Sequence, residues 1–447
     1  MCDMLQTVKD ELRDIENECF NSGVQDELYE SKPSLLTLPV EVFLKICSFL
    51  DGDYISKTLR NVCTRFEDIF ADEELWKYWA SSRMKYPFPP LPNLKIWEEK
   101  EPNWEDVFVD IDKESKRWVN AEETMRHVVI KDVHFASVDT VLLVRNGEVC
   151  ISGGRDRGLA LWDVMSVSPQ EQSQGCPATT VTTSKPHVMR YDAHAGWVWD
   201  LAADNPDDAG VVYSASWDNT VKAWDLATGL TCVETFKCGM SALSVATSDN
   251  IVMAGLYSKN ILGFDIRAGP NPITSYKTHK GPVLALNHFE NKIASVSEDR
   301  TLAVYDRVAG KVLVSDLKIP MEKAFPVCIS WTPTALYIGD SKGGLHLIDP
   351  EALKYESTHH IWPKEEKEPT KPCKITGCIQ TLGNLILCSD KGEIKFFHNS
   401  YPPSEFATVK TATLDVTQLR YQNDVLVIGT CDSALEFWVP KEKFPDF

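Results

Sequence analysis

Long hydrophobic runs are absent from this sequence. No segment approaches the roughly 18 to 20 consecutive apolar residues that a membrane-spanning helix needs. Residues 1–30 also lack a basic stretch followed by an apolar one, which is the pattern of a secretory signal. These two absences predict a protein of the cytoplasm, the nucleus or both, with no membrane as a partner.

Paired cysteines are also missing. The 13 cysteines are scattered singly, without a Cys-x-x-Cys motif, and an odd number of isolated thiols favours reduced cysteines over a disulfide framework. Cys373 and Cys378 form the nearest pair, and no second Cys or His pair lies beside them. The sequence therefore predicts no metal site and no cofactor.

Basic side chains are few in comparison with acidic ones. Lysine and arginine number 46 against 65 aspartate and glutamate residues, which gives a formal net charge of −19. This charge repels a phosphate backbone unless a basic patch offsets it locally, and no such patch is visible. Nucleic acid is therefore not an expected partner.

With 447 residues the chain exceeds one compact core, and its composition divides it into four segments. Residues 1–34 are acidic and favour at most one short amphipathic helix, so a monomer is expected rather than a dimer. Residues 35–80 have helical apolar spacing, and residues 81–123 form a helical and proline-rich connector. Residues 124–447 contain short runs of β-branched and apolar residues bounded by Gly, Asp and Asn, with a period of about 40 residues.

The segment 35–80 carries more apolar surface than so short a unit can bury. Its apolar residues fall on two helical faces, one with Val42, Ile46, Phe49 and Leu50 and one with Leu59, Val62, Cys63, Phe66 and Ile69. Such a unit either docks on the rest of the chain or binds a partner.

A repeated motif fills the last segment. Its clearest copy runs from His194 to Asp225, and residues equivalent to its Trp recur at Trp162, Trp224, Phe264, Tyr305, Ile348, Phe397 and Trp438. Seven copies predict an all-β propeller of seven blades. Because the chain ends soon after Trp438, the strand expected over 124–131 should complete the last blade and close the ring. The long spacing after Trp162 predicts a polar surface insertion at 164–187.

Each well-matched repeat contains a His, a Ser, an Asp and a Trp. In the second blade these are His194, Ser214, Asp218 and Trp224. A Ser, a His and an Asp are the residue types of a nucleophilic triad. Their recurrence in several repeats beside a Trp instead favours a structural role, so we expect no catalytic residue and no enzyme activity.

The sequence resembles the family of F-box and WD-repeat proteins. The resemblance rests on the Leu-Pro opening at 38–39, the pairs Val62-Cys63 and Leu75-Trp76, and the seven copies of the repeat. It implies a small all-α F-box domain at 35–80 and a seven-bladed WD-repeat β-propeller. It also implies that the F-box docks on a Skp-type adaptor, and through it on a cullin–RING ubiquitin ligase, while the propeller binds an unknown protein substrate.

The resemblance further implies which residues make these contacts. The adaptor face would comprise Leu38, Pro39, Val42, Ile46, Leu50, Leu59, Val62 and Cys63. The substrate face would lie on the top of the propeller around the second blade and gather Arg155, Trp197, Trp199, Trp217, Tyr257 and Glu298. With a single arginine, this surface favours apolar or aromatic anchors over a phosphorylated motif.

Two alternatives stay open at this point. One is an F-box scaffold that binds the adaptor but delivers nothing for degradation, a difference that no sequence pattern reveals. The other is an enzyme that uses the central channel of the propeller. It would need convergent polar residues outside the repeated positions, and the sequence reveals none.

Overall fold

The computed structural model describes residues 35–83, 103–167, 179–182, 184–362 and 373–443. The chain forms two compact units, Met1–Lys116 and Arg117–Phe447. The short helix predicted within residues 1–34 lies outside the described residues. Within the described ranges, no helix is both long enough and apolar enough to cross a membrane.

The first unit is helical and has an aromatic core. Its elements are α1 (Val40–Cys47), α2 (Gly52–Lys57), α3 (Thr64–Phe70), α4 (Glu73–Arg83) and the first part of α5 (Trp104–Val119), with 3-10 turns at Leu35–Thr37 and Leu59–Asn61. Phe43 of α1 stacks on Phe66 of α3 with ring centroids 4.4 Å apart. Trp76 and Trp79 of α4 pack on Phe108 of α5 at 5.7 and 5.6 Å. Aromatic packing of this kind gives a small unit much buried area per residue.

The second unit is a seven-bladed propeller, as the repeats predict. After the short helix α6 (Ala121–Thr124) and the strand β1 (Met125–Ile130), the first three blades have four strands each. Blade 1 contains β2 (Val138–Val144), β3 (Val149–Gly154), β4 (Leu159–Asp163) and β6 (Val188–Arg190). Blade 2 contains β7 (Val198–Ala203), β8 (Val211–Ser216), β9 (Thr220–Asp225) and β10 (Thr231–Lys237). Blade 3 contains β11 (Ala242–Ser248), β12 (Ile251–Leu256), β13 (Ile261–Asp265) and β14 (Thr274–Tyr276).

The remaining blades repeat this order from the inner strand outwards. Blade 4 contains β15 (Val283–Phe289), β16 (Lys292–Ser297), β17 (Thr301–Asp306) and β18 (Lys311–Lys318), and blade 5 contains β19 (Pro326–Trp331), β20 (Leu336–Asp340), β21 (Gly344–Ile348) and β22 (Tyr355–His360). Blade 6 contains β23 (Ile375–Gln380), β24 (Asn384–Ser389), β25 (Glu393–His398) and β26 (Ser404–Lys410). Blade 7 begins with β27 (Val416–Gln422), β28 (Val425–Thr430) and β29 (Leu435–Pro440).

Blade 7 is completed by the N-terminal strand of the propeller. β1 pairs antiparallel with β29, from Met125 opposite Pro440 to Ile130 opposite Leu435. The prediction that this strand closes the ring is confirmed. Closure leaves β29 no free edge and ties the start of the propeller to its end.

The insertion after Trp162 differs from the prediction. Val164 and Val167 are buried in the core rather than exposed. Thr179–Thr182 form β5, which pairs parallel to β1 and makes blade 7 a five-stranded sheet. Composition alone suggested a wholly polar surface loop because the pairing partner of β5 lies about fifty residues away in sequence.

The seven residues aligned with Trp224 all lie on the third strand of their blades. They are Trp162, Trp224, Phe264, Tyr305, Ile348, Phe397 and Trp438, and each is less than a tenth exposed. The hydrophobic clusters lie between neighbouring blades; Trp224, for example, packs with Leu142 and Ile151 of blade 1 and Leu201 of its own blade. Burial between successive blades explains why the sequence repeats a large apolar residue at this position.

Candidate binding surfaces

The His, Ser, Asp and Trp of blade 2 form one hydrogen-bonded chain. The Trp224 indole N–H donates to Ser214 Oγ at 2.8 Å, and Ser214 Oγ lies 2.6 Å from His194 Nε2. His194 Nδ1 lies 2.8 Å from Asp218 Oδ2, which also accepts the backbone N–H of Ala195. A carboxylate only accepts, so Nδ1 carries the proton and Nε2 accepts from the serine. The chain ties strands β8 and β9 to the loop before β7.

This arrangement has the atom order of a catalytic triad but not its accessibility. Ser214 is completely buried, and the Trp224 N–H occupies its oxygen from the other side. A nucleophile must reach its substrate. Burial lowers the pKa of His194, which keeps the ring neutral. Burial disfavours the charge of Asp218, but hydrogen bonds from His194 and Thr220 outweigh this effect and hold its pKa well below the usual range.

The same set recurs with variations in other blades. In blade 1, His134 lies 2.9 Å from Ser152 Oγ and 2.9 Å from Asp156, and Trp162 donates to Ser152.

Blade 4 has Tyr305 in place of the Trp. His279 bonds Ser295 there, but its Nδ1 meets Thr301 Oγ1 at 2.8 Å, and Thr301 in turn donates to Asp299.

Blade 5 uses a pair that the sequence pattern did not reveal. Asp340 ends β20, and its carboxylate lies 3.0 Å from Nε2 of His346 on β21. The same carboxylate accepts the backbone N–H groups of Lys342 and Gly344. A different His–Asp pair therefore fixes the turn between β20 and β21 in this blade.

Seven equivalent positions form a ring on one end of the propeller, which we call the top face. In every blade the residue at the start of the turn between the second and third strands donates its backbone N–H to a carbonyl just before or at the start of the inner strand, at 3.0 or 3.1 Å. The donors are Arg155, Trp217, Tyr257, Glu298, Ser341, Asp390 and Cys431, and the acceptors are Ser137, Trp197, Ser241, Pro282, Phe325, Lys374 and Asp415. All six residues of the predicted substrate face therefore lie at or near the same end of neighbouring blades.

Three tryptophans and a tyrosine make one aromatic cluster on this face. Trp217 packs edge-on against Trp197 and Trp199, with centroids 6.0 and 5.8 Å away, and touches Tyr257 at 5.8 Å. Trp197 is 42% exposed and Tyr257 is 49% exposed. Gly196 permits this packing, because a Cβ there would lie 2.6 Å from the backbone nitrogen of Asp218. Half-exposed aromatic clusters are characteristic of protein-binding sites.

Arg155 stacks on this cluster rather than pointing freely into solvent. Its guanidinium carbon lies 5.0 Å from the Trp197 ring and 6.0 Å from the Trp199 ring. Its Nε lies 2.9 Å from Asp139 Oδ2. Burial raises the pKa of Asp139, and Arg155 offsets this only in part. The one arginine of the predicted face is thus already engaged by a carboxylate and two indoles.

The central channel contains polar residues that the sequence analysis missed. A cavity of about 610 Å³ is lined by the inner strands of all seven blades, including Asp200, Gln418 and Arg420. The expectation of no convergent polar residues there is wrong. Their contacts link blades, however: Asp200 accepts the backbone N–H of Val245 in blade 3, and Gln418 accepts that of Val141 in blade 1. Burial raises the pKa of Asp200, and Arg420 at 3.7 Å opposes the rise.

The predicted adaptor residues divide into exposed and buried ones. Pro39 and Val42 are exposed, and Leu38, Ile46, Val62 and Cys63 are half-buried. Leu50 is 5% exposed and Leu59 is 1% exposed. These last two belong to the core of the unit itself, so including them in the adaptor face was wrong. Their helical spacing could not distinguish a core-facing stripe from a surface stripe.

Comparisons with known proteins match both units. An F-box-like family model matches residues 35–79, and a WD domain, G-beta repeat model matches residues 185–225 and 270–306. The chain is similar to human F-box/WD repeat-containing protein 9, with 30% identity over 413 residues, 91% of this chain and 83% of the relative. It is also 27% identical to Caenorhabditis elegans F-box/WD repeat-containing protein mec-15, over 73% of this chain and 78% of that protein.

A solved structure agrees with the fold. The crystal structure of RRP9 WD40 repeats superimposes with a TM-score of 0.59 at 12% identity, covering 71% of this chain and 97% of that one. A helical F-box unit followed by a seven-bladed WD-repeat propeller defines the class of F-box and WD-repeat proteins. The chain belongs to the F-box/WD repeat-containing protein family.

Proposed function

We propose that the chain is a substrate receptor of a cullin–RING ubiquitin ligase, acting in the cytoplasm or the nucleus. Its F-box binds a Skp-type adaptor, and the top face of its propeller binds the protein to be ubiquitinated. The chain itself contributes binding and not chemistry. The observation that carries this proposal is an apolar stripe on α1 that the described part of the F-box leaves uncovered.

Helix α1 has two apolar sides. Phe43 and Cys47 are buried in the aromatic core. Val42 is 46% exposed, and Phe49, just beyond the end of the helix, is 61% exposed. With the half-buried Ile46 between them, these residues follow the i, i+4, i+7 spacing of one helix face. A short helix that exposes such a stripe supports the presence of a partner surface.

The adaptor contact can be tested with the double variant Leu38→Ala, Ile46→Asp. Burying an unpaired carboxylate in an apolar interface costs at least about 3 kcal/mol, so adaptor affinity should fall about a hundredfold or more. The measurement is co-purification with the adaptor, followed by titration. Glu41→Ala on the same helix is the control and should bind normally. If the folded double variant binds the adaptor as well as wild type, the proposed face is wrong.

The propeller contact is supported by the exposed aromatic cluster. Trp199→Ala and Trp217→Ala each remove one indole ring from the centre of this cluster and leave the inner strands that line the channel in place. Proximity labelling with wild type and each variant should show loss of the non-adaptor partners, with adaptor binding retained. If both variants keep all of these partners, the substrate binds elsewhere.

A scaffold that delivers nothing for degradation is the alternative outcome. The partners lost from the tryptophan variants should increase in abundance when the proteasome is inhibited if the chain is a degradative receptor. Partners whose abundance does not respond to proteasome inhibition, or to inhibition of cullin activation, would favour the scaffold.

A further inference from the structure

The top face carries an aromatic surface and a carboxylate in adjacent blades. Trp217, Tyr257 and Glu298 occupy the equivalent ring position of blades 2, 3 and 4, each fixed by the same backbone hydrogen bond. The planes of Trp217 and Tyr257 meet at 45°. The row therefore runs from an indole to a half-exposed phenol and ends at an exposed carboxylate.

The neighbouring blades show what such a row can hold. The Arg155 guanidinium lies over the Trp197 ring at 5.0 Å while Asp139 binds it at 2.9 Å. Aromatic face and carboxylate together hold a cation there, as the ring quadrupole and the opposite charge predict. Among the described residues, no cation lies over Tyr257, and Glu298 forms no ion pair.

The ring and its acceptor positions are acidic on balance. Besides Glu298 they carry Asp390 and Asp415 against Lys374 and Arg155, and Arg155 is paired with Asp139. The chain as a whole has a charge of −19. Three basic residues of blade 4, Lys280, Arg300 and Lys318, line a groove beside Glu298 together with Asp299 and Asp316, and the Arg300 guanidinium donates to the Met321 carbonyl.

We propose that Tyr257 and Glu298, with Trp217 beside them, bind a lysine or arginine side chain of the protein held on the top face. The aliphatic stem lies on the aromatic rings, and the charged head meets the Glu298 carboxylate. This inference rests on the proposed function, since it specifies the substrate segment that the aromatic cluster receives. That segment carries a basic residue next to an apolar or aromatic anchor.

A displayed library of random dodecapeptides tests the inference directly. The bait is the full chain bound to its adaptor, as wild type, Glu298→Gln and Glu351→Gln. Glu351 is an exposed glutamate at the opposite end of blade 5, so the control removes the same charge from another face. Wild type should enrich Lys and Arg at one position of the selected peptides. An exposed charge pair contributes up to about 1 kcal/mol, so Glu298→Gln should weaken binding of those peptides about three- to fivefold, and Glu351→Gln should not.

The tyrosine variants separate the aromatic contribution from the charge. Tyr257→Phe keeps the aromatic face and should retain the preference for Lys and Arg, whereas Tyr257→Ala should reduce it. Enrichment without a basic position, a preference for acidic residues, no selected peptides with wild type, or equal binding by Glu298→Gln would each overturn the inference. Failure of the chain to bind any adaptor would instead refute the receptor proposal, and the library can then be repeated with the chain alone.

Discussion

Removal of the Trp224 ring should destabilise the propeller without affecting the F-box. The ring is 4% exposed, packs between blades 1 and 2, and donates its N–H to Ser214 Oγ. Truncating a buried aromatic residue to alanine costs about 3–5 kcal/mol. The propeller unit has about 330 residues. At ~2.1 cal/mol/K per residue its unfolding entropy is about 0.7 kcal/mol/K, so Trp224→Ala should lower Tm by about 6 °C.

Two further variants identify the source of this loss. Trp224→Phe keeps most of the ring and reproduces the residue type of Phe264 and Phe397 at the equivalent positions. It loses one hydrogen bond, so the cost should be about 1–2 kcal/mol. Tyr191→Ala removes a ring that is 56% exposed and should change stability by no more than about 0.5 kcal/mol.

Differential scanning calorimetry of the three variants, with adaptor binding measured at low temperature, is the appropriate assay. An unchanged melting curve for Trp224→Ala would refute the packing of this ring between blades. Equal losses for Trp224→Phe and Trp224→Ala would show that the hydrogen bond, and not the packed ring, stabilises the blade.

Two other properties should respond to perturbation. Glu436 is fully buried, lies 2.7 Å from His127 of the closing strand and accepts the backbone N–H groups of Ala412 and Thr413. Glu436→Ala should therefore lower the free energy of unfolding by about 3–5 kcal/mol, measured by chemical denaturation. A loss below about 1 kcal/mol would contradict this account of ring closure. Burial lowers the pKa of His194 below 6.5, so the unfolded chain binds more protons than the folded chain as pH falls through that value. The contribution of this histidine to stability should therefore be complete above about pH 6.5 and decrease below it. Between pH 7.5 and 5.5, the Tm of His194→Gln should fall less than that of wild type.

Much of the propeller could be predicted because its signal is periodic. Apart from the long spacing after Trp162, residues equivalent to Trp224 recur about every forty residues, and each lies on the third strand of a blade. Even Ile348, which is aliphatic and lacks the indole N–H of Trp, occupies this position, because burial between blades requires only a large apolar side chain. The closing role of β1 followed from the early end of the last repeat.

The placement of the aromatic residues also followed from the repeat. The Asp of the repeat, such as Asp218, lies in the turn between the second and third strands, so the residue just before it must lie at the end of its blade. Because the repeats align, the equivalent residue of each other blade lies at the same end. For this reason Arg155, Trp217, Tyr257 and Glu298 could be assigned to one face. Their contacts could not be assigned: pairing of Arg155 with Asp139 depends on side-chain directions that spacing does not specify.

Other features involve partners far apart in sequence. Asp200 and Arg420 meet only because the ring brings blade 2 and blade 7 to the same channel, and β5 pairs with β1 across a separation of about fifty residues. The pairing of Asp340 with His346 could not be predicted because these two residues do not follow the repeated pattern. In the F-box, the spacing of Leu50 and Leu59 fits a partner surface as well as a core, and only their burial in the folded unit decides between the two.

The sequence by itself therefore determined the two units, the number of blades, the strand that closes the ring and the face on which the tryptophans lie. These properties depend on the local period of apolar residues, which each repeat encodes separately. The tertiary structure alone decided which carboxylates are paired, which apolar residues are buried and which charges are exposed. Those properties depend on atoms brought within a few ångströms of each other by chain closure, and neither burial nor Coulomb interaction can be read from separation along the chain.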